Sequence, residues 1–75
     1  MKIVLDTNNM EYGLMEKQVG LPETIRFFDK NNNEYDSAFY KSENATKRYQ
    51  IVDECESKAQ FFEKTKLLKN KEQHN

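Results

Sequence analysis

Apolar and polar positions alternate with one period in the first half of this chain and with another in the second, and the change falls near Ser42. Ile3, Val4 and Leu5 form a continuous β-favouring run. Asp6, Thr7, Asn8 and Asn9 end it, and all are turn formers, so residues 2–5 read as a strand. Met10, Leu14, Met15 and Val19 keep neither period cleanly, and Gly13 sits among them. That stretch is read as irregular or as a second short strand. Gly20, Leu21 and Pro22 make a break, because proline donates nothing to a ladder. Residues 24–28 then read as a strand, residues 29–33 as a tight polar connection, and residues 34–40 as the returning strand of a β-hairpin. Asparagine tolerates positive φ better than other non-glycine residues, which suits Asn31, Asn32 and Asn33 to the connection. On the returning strand Tyr35, Ser37 and Phe39 face one way, and Asp36, Ala38 and Tyr40 the other.

Beyond residue 41 the apolar residues recur every three or four positions. Tyr49, Val52, Cys55, Ala59 and Phe62 make one helical stripe, widened by Ile51, Leu67 and Leu68. Ser42 or Asn44 is suited to cap its start. No glycine or proline interrupts residues 41–75, so a helix over about residues 44–68 is expected, with a break near Glu56 and Ser57 as a variant. Asp53, Glu54 and Glu56 precede the lysines along it, an order that suits the helix dipole. The expected fold is α+β: a small antiparallel sheet with a central hairpin, packed by one or two C-terminal helices. Residues 1–70 form one domain in this reading, and residues 71–75 a disordered tail.

Composition limits the core. Apolar residues are 36% of the chain against 33% charged, so four tyrosines and five phenylalanines must supply much of the buried area. A chain this short buries only ~60% of the surface its unfolded form exposes. A second copy is a common remedy, so a homodimer is expected, with Tyr49, Val52, Phe61 and Phe62 in the core or the dimer contact.

Charge is unevenly placed. The net charge is −1, but residues 1–38 carry −3 and residues 57–71 carry +4. Glu11, Glu16, Glu23, Glu34 and Asp36 are the candidate partner-binding residues, as an acidic surface presented to a basic channel. The alternative is an apolar anchor such as Phe61, Phe62 or Tyr40 filling a partner's pocket. The basic end of the chain, with Phe61 and Phe62, offers a third reading, phosphate contacts combined with base stacking.

Candidate chemistry is sparse. One cysteine, Cys55, excludes an intramolecular disulfide and the usual thiolate zinc sites. Its place on the apolar stripe beside Glu54 and Glu56 fits a buried thiol better than a nucleophile. His74 is the one histidine, near the chain end, which disfavours a His-based triad or His metal cluster. Gly13 and Gly20 form no phosphate-binding loop, and the acids match no EF-hand. No catalytic residues, cofactor or metal are therefore expected. No apolar run approaches the ~20 residues of a membrane span, and no signal-peptide pattern opens the chain. A cytoplasmic protein with no membrane partner is expected.

Two resemblances add to this. Ile3, Val4, Leu5, Asp6, Thr7 and Asn8 resemble the first strand of PIN-domain ribonucleases. That resemblance implies a metal-dependent ribonuclease in which Asp6 helps hold Mg²⁺. It covers six residues, and the parallel sheet of that family needs long crossovers that this chain has no room for. In size and in its excess of lysine, asparagine and glutamate, the chain resembles small early proteins of bacteriophages. This implies a non-catalytic inhibitor or modulator of a bacterial host protein, such as a polymerase, a nuclease or the replication sliding clamp. Gln18 to Leu21 and Gln60 to Phe62 are similar in part to peptides that dock in that clamp.

Overall fold

A computed structural model describes residues 1–72. The chain forms a five-stranded antiparallel sheet with two helices, an α+β fold. The strands are β1 (Lys2–Asp6), β2 (Glu11–Glu16), β3 (Thr24–Phe28), β4 (Glu34–Phe39) and β5 (Tyr49–Glu54). Helix α1 (Glu43–Arg48) lies between β4 and β5, and α2 (Lys58–Glu72) follows β5. The sheet order is β4-β3-β2-β1-β5, so four strands meander and the fifth returns to the open side of β1. No helix among the described residues is long and apolar enough to cross a membrane.

The expected hairpin is present, and its turn is held by Asp29. The Asp29 carboxylate accepts from the backbone N–H groups of Asn31 and Asn33 at 2.8 and 3.0 Å. Asn32 takes the positive φ, 64°. Residues 10–19, ambiguous in sequence, contain β2, whose Gly13 lies opposite Val4. A Cβ at Gly13 would stand 2.5 Å from Ile25 Cγ2 and 2.9 Å from Phe27 Cε1, so only glycine lets these side chains close over the strand.

The single helix expected over residues 44–68 is not formed. Ser42 does cap a helix, its hydroxyl accepting from Ala45 N–H at 3.1 Å. That helix ends at Arg48, and Tyr49 turns into strand β5. The cause is the unpaired side of β1: pairing with β5 satisfies backbone groups that a continuous helix would leave open. The expected break near Ser57 is where α2 begins. Ser57 Oγ accepts from Gln60 N–H, while Gln60 Oε1 accepts from Glu56 N–H, a reciprocal N-terminal cap. The tail expected over 71–75 is helical at Lys71 and Glu72, and residues 73–75, with His74, lie outside the described residues.

The sheet buries apolar side chains on both faces. Val4, Met15, Ile25, Phe27 and Tyr49 pack on one face with Ala45 of α1. Ile3, Leu14 and Cys55 pack on the other with Phe61 of α2, flanked by Tyr12, Phe28 and Phe62. Burying ~25 cal/mol per Å² on each face compensates for the low apolar content, because one thin sheet serves two cores.

Candidate functional site

Residues opposite one another in the register share a face, which places the five candidate carboxylates. Glu11 pairs with Asp6 and Asp36 with Phe27, so both lie on the α1 face. Glu16 alternates with Leu14, and Glu34 lies opposite Phe28, so both lie on the α2 face. There Arg26 sits between them, 3.2 Å from Glu16 and 3.6 Å from Glu34. Glu23 belongs to the connection before β3, where its carbonyl accepts from Tyr40 N–H at 2.8 Å. Four of the five acids are thus divided between two faces, Glu23 lies in a loop, and Glu16 and Glu34 share one guanidinium. Glu11 also accepts a hydrogen bond from the Tyr35 hydroxyl, which holds the phenol protonated and pushes its pKa up to about 12.

Of the four residues expected in the core or dimer contact, Tyr49 and Phe61 are buried and Phe62 is half-buried. Val52 is not in the core. It is the extra residue of a bulge in β5, between the Ile3–Asp53 and Val4–Ile51 pairs, and is 44% exposed. The stripe linking Val52 to Phe62 had no helix to carry it.

Asp6 is fully buried and both its oxygens are engaged. Arg48 Nε and Nη2 each donate to it at 3.0 Å, and Asn8 N–H donates to Oδ1 at 3.0 Å. The hydrogen bonds from Arg48 hold the carboxyl below the usual aspartate range, against the opposing effect of burial. Arg48 also lies 5.1 Å over the Tyr49 ring, so the pair ties the end of α1 to the end of β1. No group of three or more His, Cys, Asp or Glu side chains among the described residues could hold a metal ion. Cys55 is buried beyond the end of β5, and desolvation pushes its thiol up, away from the reactive thiolate.

Two surfaces flank α2, one on each side. Toward β5 an apolar groove of about 570 Å³ is bounded by Leu67 and Leu68, with Asp53, Lys64 and Lys71 at its rim. Beside it runs the outer edge of β5, which pairs with no further strand among the described residues, and on whose other, α1, face Ile51 is 48% exposed. Lys64 spans the junction, donating to Glu54 O at 2.7 Å and standing 3.6 Å from Asp53. Toward β3 a second cleft, of about 490 Å³, opens between α2 and the hairpin, with Tyr12, Phe28 and Phe62 and the amines of Lys30, Lys66 and Lys69. Sequence reasoning noticed the lysines of α2 but had no way to join them to Lys30. It missed the β5 edge because residues 49–54 were assigned to a helix.

Compared with known proteins, the chain matches no family model, no curated protein and no solved structure.

Proposed function

We propose that this chain is a non-catalytic protein-binding domain that inhibits or modulates a bacterial host protein, one that handles DNA. It engages that protein through the open edge of β5. The observation that carries the reading is the outer edge of β5, unpaired among the described residues, with Ile51 exposed on its α1 face, Val52 exposed at its bulge, and the Leu67–Leu68 groove flanking its α2 face. An extended segment of a partner adds to such an edge through main-chain hydrogen bonds, and its alternate side chains enter the groove. Lys64 and Lys71 at the rim favour acidic residues next to the segment's apolar anchors. The scatter of the five carboxylates over two faces and a loop, two of them on Arg26, supports this edge over an acidic DNA-like surface. The bulge at Val52 limits long strand-to-strand pairing and so favours a short partner segment over a second copy of the chain.

The test is affinity capture from a low-GC bacterial lysate with three forms of the protein, combined with sedimentation equilibrium of the protein alone. The same captured protein is expected with the unaltered chain and with Glu23→Lys/Glu34→Lys, and its loss with Ile51→Lys/Leu67→Glu. The isolated chain is expected to sediment as a monomer. Loss with the charge reversals and retention with the edge variant would move the site to the acids. A dimer dissolved by Ile51→Lys would make the edge a self-contact.

A further inference from the structure

The cleft on the other flank of α2 has a chemistry that protein docking at β5 does not use. Its wall is aromatic: Phe28 and Phe62 meet edge-on with centroids 5.1 Å apart, and Tyr12 lies beside them. Its rim is cationic. Lys66 and Lys69 stand three positions apart on α2, which puts them on the same flank of the helix, and Lys30 faces them from the hairpin turn. None of these three lysines takes part in an ion pair among the described residues. The acid lining the cleft among the described residues, Asp29, has its Oδ1 engaged by two backbone N–H groups of its own turn. At about 490 Å³ the cleft has the size of a small-ligand site. Lys58, 4.8 Å from the Phe28 ring and 5.8 Å from Phe62, already shows these rings attracting a cation from the N-terminal end of α2.

Unpaired amines around a concave aromatic wall suit a ligand with phosphates on one side and a flat ring on the other. A duplex hides its ring faces, whereas a single strand offers a base and a phosphate at every step. We propose that this cleft binds single-stranded nucleic acid, with Lys30, Lys66 and Lys69 on the phosphates and Phe62 and Tyr12 against a base. The site is separate from the β5 edge, so the two functions stand or fall independently.

Fluorescence anisotropy with a labelled ten-nucleotide oligothymidylate and the full chain tests this. Saturable binding is expected at 50 mM NaCl. Three phosphate contacts on a single strand give a log–log salt slope of about −2, so affinity falls roughly 20-fold at 200 mM. Lys66→Glu/Lys69→Glu is expected to abolish binding, and Lys47→Glu, on the α1 face, to leave it unchanged. Phe62→Leu, with the fold verified by circular dichroism, is expected to weaken binding at least about five-fold through lost stacking. Binding indifferent to Phe62→Leu, or absent at 50 mM, overturns the proposal. So does displacement of the probe by ATP as effective as by unlabelled oligonucleotide, which would assign the cleft to a free nucleotide. Equal displacement by polyglutamate would assign it to an acidic protein segment and overturn it likewise.

Discussion

Gly13→Ala probes the close approach of β2 to the side chains of β3. The added Cβ would lie 2.5 Å from Ile25 Cγ2, and within 2.9 and 3.2 Å of two Phe27 ring carbons. Carbon atoms rest at ~3.5–4.0 Å, so Ile25 must retreat by about 1 Å. It has nowhere to go: Ile25 is fully buried, and Val4, Met15 and Phe27 belong to the same cluster. Overpacking of this kind costs ~1–3 kcal/mol. Alanine stiffens the unfolded chain relative to glycine, which returns ~0.4–1 kcal/mol. At the midpoints of these ranges the net loss is ~1.3 kcal/mol, which in a domain this small lowers Tm by roughly 5–10 °C. Thermal melts by circular dichroism measure it. Ile25→Leu moves the branch away from Cβ and should cost less than ~1.5 kcal/mol by itself. Combined with Gly13→Ala it should cost less than the two changes added together, since the contact creating the strain is gone. An unchanged or raised Tm for Gly13→Ala, or strict additivity in the double variant, would refute the packing of β2 against β3 described above.

Two further expectations concern buried groups. Asp6 has a lowered pKa in the folded protein, so its contribution to stability is complete above the unfolded value of ~3.9 and is lost as pH falls through the folded one. In urea titrations the deficit of Asp6→Asn against the unaltered chain should therefore be largest near pH 7 and shrink below pH 4, and a constant deficit down to pH 2 would remove the ion pair from the account. Cys55 should resist a thiol reagent such as DTNB in the native state at pH 7 and react at once in denaturant; rapid native labelling would show that the end of β5 does not shield it.

The first half of the fold was legible because its signals are local. β1 and β3 carry β-favouring residues between turn formers, and Asp29 to Asn33 contain the whole chemistry of the turn that brings β4 back. Gly13 obscured β2, since the close approach that requires glycine lies on another strand. β5 was not legible at all. Tyr49 is its one buried residue, so the strand shows no alternation, and the spacings of three between Tyr49, Val52 and Cys55 read as helical. Phe61 and Phe62 are helical as expected, but of the stripe on α2 only Phe62 reaches the sheet, half-buried, while the buried contact is Phe61, beside the stripe. Asp6 and Arg48, 42 positions apart, and the lysines meeting across the cleft are products of topology. No pattern within a window of the sequence could join them.

The return of β5 to β1 also sets the order in which this molecule can assemble. The meander from β1 to β4 needs only neighbouring segments to meet, and such short loops close in well under a microsecond. β1 then waits with one side open until the strand that completes it arrives from more than forty residues away. Closing that loop costs chain entropy before any contact repays it, so the slow step of folding is expected at the β1–β5 junction, and folding-rate changes in Arg48 and Tyr49 variants check it. The guanidinium clamp on Asp6 and the hydrogen bond from Thr7 N–H to Arg48 O sit at the end of β5 that enters the sheet first in sequence. A nucleus built there would make Arg48 and Tyr49 govern how fast the protein folds, while Phe61, docking afterwards with α2, would govern how slowly it comes apart.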